Sequence, residues 1–404
     1  MTSVEAASPT LIVVRTLLAL AVVFVLLATT GWTTIRHHPS PGPSREAALA
    51  AWARDRIDHR PPPEPGAPAR TVAAFFAGLG QARAARLAER HPLVVGNLDG
   101  APVSLRYRAN RIALGRVLTA ERDSVDDSRL SAEGRHEARR RVDRFTSLMR
   151  PGRQILAFDP GGTGRTAEVF GDLDRARRVS VIVPGVDTNL LTFQKTHGRY
   201  RAPVGMAEAL YAAERRTSPG TEVAVIAWAD YTAPVGVGID AMTGRLAEQG
   251  AERLVGLAEA LPGHARVALF CHSYGSVLCG VAAPRLPARV TDLAVAGSPG
   301  MRVERAAELG GHARVWAMRD ADDWIADVPH LEVAGVGHGA DPVTPEFGAR
   351  LLSARGAIGH SGYFEPGTES LGNFAAIGVG AYGSLVCARA DSACHDGISG
   401  AEGR

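Results

Sequence analysis

The sequence predicts an α/β fold, a mostly parallel central sheet covered by helices on both faces. Three observations carry the prediction. From residue 154 onward, short and almost wholly apolar segments alternate with helical ones, the pattern of strands buried on both faces. Turn-forming residues stand directly after those segments, as Pro184-Gly185 does after RVSVIV. One such segment, Val267 to Cys271, runs into His272-Ser273-Tyr274-Gly275 and then a small-residue helix start. That is the layout of a strand, a sharp turn presenting one serine, and a helix.

Size and composition agree with a globular body. The chain has 404 residues and is 46% hydrophobic, enough to bury a large core. A formal net charge of +3 lacks the concentrated positive charge of a nucleic-acid binder, and no such partner is expected. Four cysteines are too few for a disulfide scaffold. Cys271 and Cys279 flank the serine and are expected to be reduced, buried small hydrophobes. Cys387 and Cys394 close a short loop and are expected to pair in an oxidising compartment.

Taken in order, the chain opens with a tail over residues 1–15. Residues 16–35, TLLALAVVFVLLATTGWTTI, carry no formal charge, and about twenty such residues suffice to span a bilayer. Trp32 stands where an interfacial aromatic would. The run is long for a cleaved leader and no clear small-residue cleavage site follows, so a retained single-pass membrane anchor is expected. Arg36, Arg45, Arg54 and Arg56 outnumber Arg15, which by charge alone would keep the body inside. Long domains cross largely regardless of such flanks, and the Cys387/Cys394 pair points outward, so the body is expected to be extracytoplasmic. Residues 36–70 read as a Pro-rich stalk, with helical composition from Glu46 to Arg60. His37-His38 has no third ligand nearby, so no metal is expected.

Residues 71–150 read as a helical N-terminal layer. Val72, Phe75, Phe76, Leu79, Ala82 and Leu87 recur at helical spacing from Thr71 to Glu89. A turn at Asn97-Leu98-Asp99-Gly100 leads to a short helix over Pro102 to Leu114. The charged stretch Ser124 to Arg150, with Arg139-Arg140-Arg141, reads as an exposed helix. Residues 151–385 form the α/β body. Its strands are expected at Gln154–Phe158, Thr166–Phe170, Arg178–Val183, Glu222–Trp228, Val267–Cys271, Val290–Val295 and Arg314–Met318. Helices are expected over Ala241–Leu261 and near Ser370–Gly380. Residues 386–404 are a C-terminal tail.

In sheets of this kind the chemistry gathers at the carboxyl ends of the strands. A serine is a weak nucleophile until a base lies within hydrogen-bond reach and an acid orients that base. After Ser273, acids come in Arg319-Asp320-Ala321-Asp322-Asp323-Trp324-Ile325 and histidines at His338 and His360. Three adjacent buried carboxylates would repel, so one is expected to be buried. Asp323 is preferred, with Asp320 and Asp322 as alternates. His360, in a late loop before the last helix, is preferred as base; His338 returns tightly after Asp323 and is the alternate. His272 is expected to point away from the pocket and serve the turn structurally. The developing oxyanion needs two backbone N–H groups, expected from Tyr274 and from Gly185–Val186. No cofactor or metal is required. Cys271 stands where the pattern G-x-S-x-G has its first glycine, and it is a small structural substitute there.

Together the motifs resemble an uncharacterised actinobacterial α/β-hydrolase family, first delineated as a domain of unknown function. The resemblance rests on GNLDG with RYRAN (Gly96–Asn110), VIVPGVDTN (Val181–Asn189), VIAWADYTAP (Val225–Pro234), CHSYGS (Cys271–Ser276), DWI (Asp323–Ile325), GHGADP (Gly337–Pro342) and GHSGYF (Gly359–Phe364). It implies an α/β-hydrolase fold with Ser273 as nucleophile, and it supports Asp323 through DWI. The family's usual GHSYG has a glycine where Cys271 stands. The expected protein is a membrane-anchored serine hydrolase acting on a small-molecule or lipid ester, with protein partners unspecified. The alternative is a hydrolase-like binding protein of the cell envelope without catalysis; the intact order of Ser, Asp and His argues against it.

Overall fold

The computed structural model describes residues 44–57, 59–388 and 393–398. The expected tail at 1–15 and the anchor at 16–35 lie outside the described residues. Among the described residues no helix is long and apolar enough to cross a membrane.

Among the described residues five longer helices come first, α1 (Arg45–Arg54), α2 (Ala69–Leu79), α3 (Gln81–Arg90), α4 (Val103–Val125) and α5 (Ala132–Leu148), with the one-turn helix Pro92–Val95 between α3 and α4. The described part of the Pro-rich segment is not the stand-off stalk expected for residues 36–70. Ser44 caps α1 by accepting from the Ala47 N–H (3.1 Å). Trp52 is fully buried, donates Nε1–H to the Pro63 carbonyl (2.8 Å) and meets His91 edge-on, in a cluster with Val72, Phe76 and Leu87. A buried indole with its N–H satisfied fastens this segment to the layer. The helix expected over Thr71–Glu89 is broken in two at Gly80, whose φ of 71° suits glycine. The short helix expected at Pro102–Leu114 runs on to Val125, because Ala113, Leu114, Val117 and Leu118 extend its apolar stripe against Phe145 and Ile155. In α5, Arg139 and Arg140 are exposed as expected of a charged helix, but Arg141 is buried with Nε 2.5 Å from Glu121.

The GNLDG and RYRAN motifs are architectural. Asn97 donates to the carbonyls of Leu93 (2.7 Å) and Phe158 (2.9 Å), and its oxygen accepts from the Phe158 N–H (3.1 Å). Asn110 donates to Gly96 O (2.9 Å) and Ile155 O (3.0 Å). These side chains fasten the helical layer to the first strand.

The body holds strands β1 (Gln154–Asp159), β2 (Arg165–Gly171) and β3 (Arg178–Val183), helix α6 (Pro203–Thr217), β4 (Val223–Ala229), α7 (Arg245–Ala260), β5 (Arg266–His272), α8 (Tyr274–Ala282), β6 (Val290–Ala296) and β7 (Arg314–Met318). A small ribbon of β8 (Glu332–Val333) and β9 (Val336–Gly337) follows, then β10 (Arg350–Leu351) and α9 (Glu369–Val379). The expected helix over Ala241–Leu261 is a short turn, Ile239–Met242, followed by α7. The main sheet has the order β1-β2-β4-β3-β5-β6-β7-β10. β2 is antiparallel to both its neighbours, and the remaining pairs are parallel. Side chains alternate across it: Val267, Leu269 and Cys271 of β5 join the core under α7 and α8, while Ala268 and Phe270 join the core under α6 and α9.

The C-terminal stretch is not a free tail where it is described. Ser353 N–H donates to Val386 O (2.9 Å) and Ala388 N–H to Leu351 O (3.0 Å), which lays residues 386–388 along β10. Cys387 and Cys394 are joined by a disulfide, and Cys394 is buried.

Candidate active site

Strand β5 sits between β3 and β6, so its carboxyl end opens at the middle of the sheet. There the chain reverses at Ser273, whose φ of 55° and ψ of −130° form a strained conformation for a residue with a side chain. Such a conformation costs on the order of 1–3 kcal/mol and persists only when its surroundings fix it. The Ser273 N–H donates to Ala296 O (3.0 Å). The Ser273 carbonyl accepts from the Ser276 N–H (2.9 Å) and Oγ (2.6 Å). Two glycines permit the close approach. A Cβ on Gly275 would stand 2.2 Å from Val183 O, and one on Gly185 would stand 2.5 Å from Ser273 Cβ.

Cys271 and Cys279 correct the expectation of reduced thiols: both are buried as expected, but they form a disulfide across this turn. Composition could not reveal the pairing. It exists because the elbow folds α8 back over β5, bringing the two Cα atoms to 6.5 Å, within reach of a bridge.

His360 lies on the turn Gly359–Ser361. Its Nε2 is 2.8 Å from Ser273 Oγ and its Nδ1 is 2.8 Å from Asp323 Oδ1. A carboxylate can only accept, so Nδ1 carries the hydrogen and Nε2 of the neutral ring is free to accept from the serine. Asp323 is buried and follows β7. Its Oδ1 also accepts from the Ile325 N–H (3.0 Å), and its Oδ2 accepts from the Tyr363 hydroxyl (2.5 Å). Burial works to raise the carboxyl's pKa, but the hydrogen bonds from His360, Tyr363 and the Ile325 amide outweigh it and hold the group below its ordinary value.

The neighbouring acids do other work. Asp320 accepts from the Gly359 N–H (2.8 Å), and its own N–H donates to the Tyr363 hydroxyl (3.0 Å), so it braces the histidine loop. Asp322 is exposed. His338 is not brought to Ser273 Oγ as a partner. It is buried, bonded through Nε2 to Ala241 O (2.7 Å), with its ring edge-on to Tyr274.

His272 does not point away from the other groups. Its ring centroid lies 4.9 Å from that of His360, and its Nε2 meets the His360 carbonyl at 2.5 Å. A carbonyl only accepts, so this nitrogen carries the hydrogen. Burial pushes the ring's pKa down to about 4, which favours the neutral form.

Tyr274 opens α8, so its N–H is among the helix's first donors, which have no intrahelical partner. Gly185 and Val186 follow β3, and Gly185 lies directly against Ser273. The loop is pinned by the Tyr231 hydroxyl on Pro184 O (2.6 Å) and by the Asp187 N–H on Pro234 O (2.8 Å).

Sequence reasoning missed three residues. Tyr363 stands inside GHSGYF, but nothing in the motif said which atom its hydroxyl reaches. Gly297, with φ of 56°, lets the acid and base pass over it: a Cβ there would stand 2.7 Å from Asp323 Oδ2 and 3.1 Å from His360 Nδ1. Trp324 packs its ring 4.7 Å from that of His360 and is 46% exposed. Other exposed apolar side chains stand on segments that follow strands of the sheet: Val235, Val237 and Ile239 after β4, Leu331, Val333 and Val336 after β7, and Ile358 after β10. Among the described residues, Cys387, Cys394 and His395 bring three potential metal-ligand atoms together, but the sulfurs are consumed in the disulfide.

A family model described as alpha/beta hydrolase matches residues 159–333. An uncharacterized protein of Mycobacterium tuberculosis (strain ATCC 25618 / H37Rv) is 29% identical over 382 residues, covering 79% of this chain. The chain spans 56% of that relative's length. An uncharacterized protein of Mycobacterium bovis (strain ATCC BAA-935 / AF2122/97) is 31% identical over 208 residues, 48% of this chain and 76% of its own. Among solved structures, 2,6-dihydroxy-pseudo-oxynicotine hydrolase aligns over 86% of this chain and 96% of its own, with 13% identity and a TM-score of 0.35. The chain belongs to the alpha/beta hydrolase family and is a relative of these mycobacterial proteins.

Proposed function

We propose that the protein is a serine hydrolase that cleaves carboxylic esters through Ser273, His360 and Asp323. The observation that carries the reading is the unbroken chain of hydrogen bonds from Ser273 Oγ through both ring nitrogens of His360 to the buried Asp323, set on a strained turn. In the proposed reaction Oγ attacks the ester carbonyl carbon while its proton passes to His360 Nε2. Asp323 stabilises the imidazolium so formed and fixes its orientation. The oxyanion is held by the N–H groups of Tyr274 and the Gly185–Val186 loop. His360 then returns the proton to the departing alkoxide, leaving an acyl-serine. Water, activated by the same histidine, releases the acid and restores Oγ–H.

The exposed Trp324, whose ring lies against His360, and the exposed Ile358, directly before the turn that carries His360, favour an ester with an apolar acyl or alcohol part, a lipid ester among them. The two disulfides support residence in an oxidising compartment outside the cytoplasm. The uncharged stretch 16–35 would then hold the body at the membrane.

A fluorophosphonate probe tests the reading. Wild-type protein is expected to be labelled at Ser273, and S273A to remain unlabelled. Wild type that takes no label under conditions that label another serine hydrolase would refute it, and label on S273A would refute the choice of nucleophile. p-Nitrophenyl esters of rising chain length then read the substrate class, with kcat/KM expected to rise from acetyl to longer acyl chains.

A further inference from the structure

We propose that the Cys271–Cys279 disulfide is a positioning device for the nucleophile, a covalent staple across the elbow that holds Ser273 in its strained conformation and keeps Oγ on His360. The inference rests on the serine-hydrolase reading above.

Cys271 stands two residues before Ser273, at the last strand position before His272, and Cys279 lies six residues after it on α8. The bridge therefore joins the two arms of a turn whose apex is the nucleophile. A residue with a Cβ held at φ 55° and ψ −130° relaxes unless its surroundings prevent it. The hydrogen-bond restraints act on one arm each. The Ser273 N–H is tied to β6 through Ala296, and the Ser273 carbonyl is tied to α8 through Ser276. Gly275 seats α8 on the end of β3. Only the disulfide ties arm to arm covalently.

The bridge's place and size agree with positioning more than with general stabilisation. Both cysteines are buried in the core beneath α8, away from any free loop. Their separation in sequence is 8, and in the chain-entropy account a bridge closing so short a loop restrains the unfolded chain least. The usual G-x-S-x-G pattern leaves this space to a glycine. Here a side chain fills it and is bonded to the helix that follows.

The test compares wild type, C271A/C279A and C387A/C394A. The second bridge, with a separation of 7, closes a loop of nearly the same length far from the elbow along the chain, so it controls for the loss of any short disulfide. C271A/C279A is expected to lose about tenfold in kcat on a p-nitrophenyl ester, equivalent to about 1.4 kcal/mol. Its KM is expected to stay within about twofold, its labelling by the fluorophosphonate to slow in parallel, and C387A/C394A to keep the wild-type kcat.

Equal labelling rates in wild type and C271A/C279A would overturn the proposal, as would an equal loss in C387A/C394A. Free thiols at 271 and 279 in native protein would also overturn it. Wild type that never labels would instead refute the hydrolase reading, and the staple with it. Should C271A/C279A fail to fold, native C387A/C394A, whose one remaining bridge is Cys271–Cys279, is reduced with a phosphine. The phosphine is oxidised to its oxide with the oxygen of water, and the disulfide takes up two electrons and two protons. Thiol alkylation then confirms opening at 271 and 279, and the labelling rate is read on the folded chain. Slower labelling supports the staple and an unchanged rate refutes it.

Discussion

At the scale of the residue, Tyr363 shows how much of the candidate site is set by groups that do not react. Its hydroxyl donates to Asp323 Oδ2 and accepts from the Asp320 N–H, so one side chain links the acid to the loop that carries the base. Replacing it by phenylalanine leaves one oxygen of a buried carboxylate without its donor. An unsatisfied buried polar group costs about 1–3 kcal/mol. The pH dependence follows from the direction of the Asp323 shift. Its folded pKa lies below the ordinary value of 3.8, so the stability it contributes is present above that value and is lost as pH falls through the folded pKa. Y363F moves the folded pKa back toward 3.8 and shrinks that contribution. The variant is therefore expected to be less stable than wild type at pH 7 in urea denaturation. The gap should narrow as the acid limb is entered. A constant gap down to pH 3 would mean that the hydroxyl acts only by filling space.

At the scale of the element, α6 carries a buried acid that the chemistry does not use. Glu214 is 1% exposed, accepts from the Ser180 hydroxyl of β3, and faces Gly378 of α9, where a Cβ would stand 2.1 Å from its Oε1. The glycine is what allows α9 to close over a carboxyl group. Burial is the dominant influence and pushes the carboxyl up to about 8, against the opposing effects of Ser180 and Arg178. A raised acid contributes stability that is fully present below its unfolded pKa, near 4.5, and is lost as pH rises through about 8. E214Q has no such proton to lose. Wild type is thus expected to lose stability relative to E214Q steadily from pH 5 to pH 8 and to hold a constant difference above that. Denaturant midpoints at pH 5, 7 and 9 measure it, and parallel curves would show that Glu214 is ionised in the fold throughout.

At the scale of the whole molecule, the sheet was legible because its strands are buried on both faces, so RVSVIV, VAVIAWA and RVALFC stand out as apolar runs whatever surrounds them. The order Ser, Asp, His was legible for a related reason, since Ser273 and Asp323 follow apolar strand ends and His360 stands in a late loop before the last helix. What could not be read depends on distance in space. Nothing in the loop Asp320–Asp323 shows that Asp320 faces Gly359 while Asp323 faces His360. Nothing in the spacing of Cys271 and Cys279 shows that the elbow brings them together. The Pro-rich segment hid its role because one tryptophan among many prolines leaves no periodic signal. That tryptophan gives the last prediction. Trp52 is buried against α2 and α3, and Asn97 and Asn110 bond the layer to β1, so force on the layer is transmitted to the sheet. The layer and the sheet are then expected to unfold together. W52A removes a whole indole and leaves the Pro63 carbonyl without its donor, a loss of about 3–5 kcal/mol for a buried aromatic truncated to alanine. If the segment were a stalk, W52A would leave the main transition where it was. If it is part of one cooperative body, W52A lowers the midpoint of the single transition, with far-UV circular dichroism and the fluorescence of Trp228 and Trp316 in the sheet moving together. A main transition at the wild-type midpoint would restore the stalk.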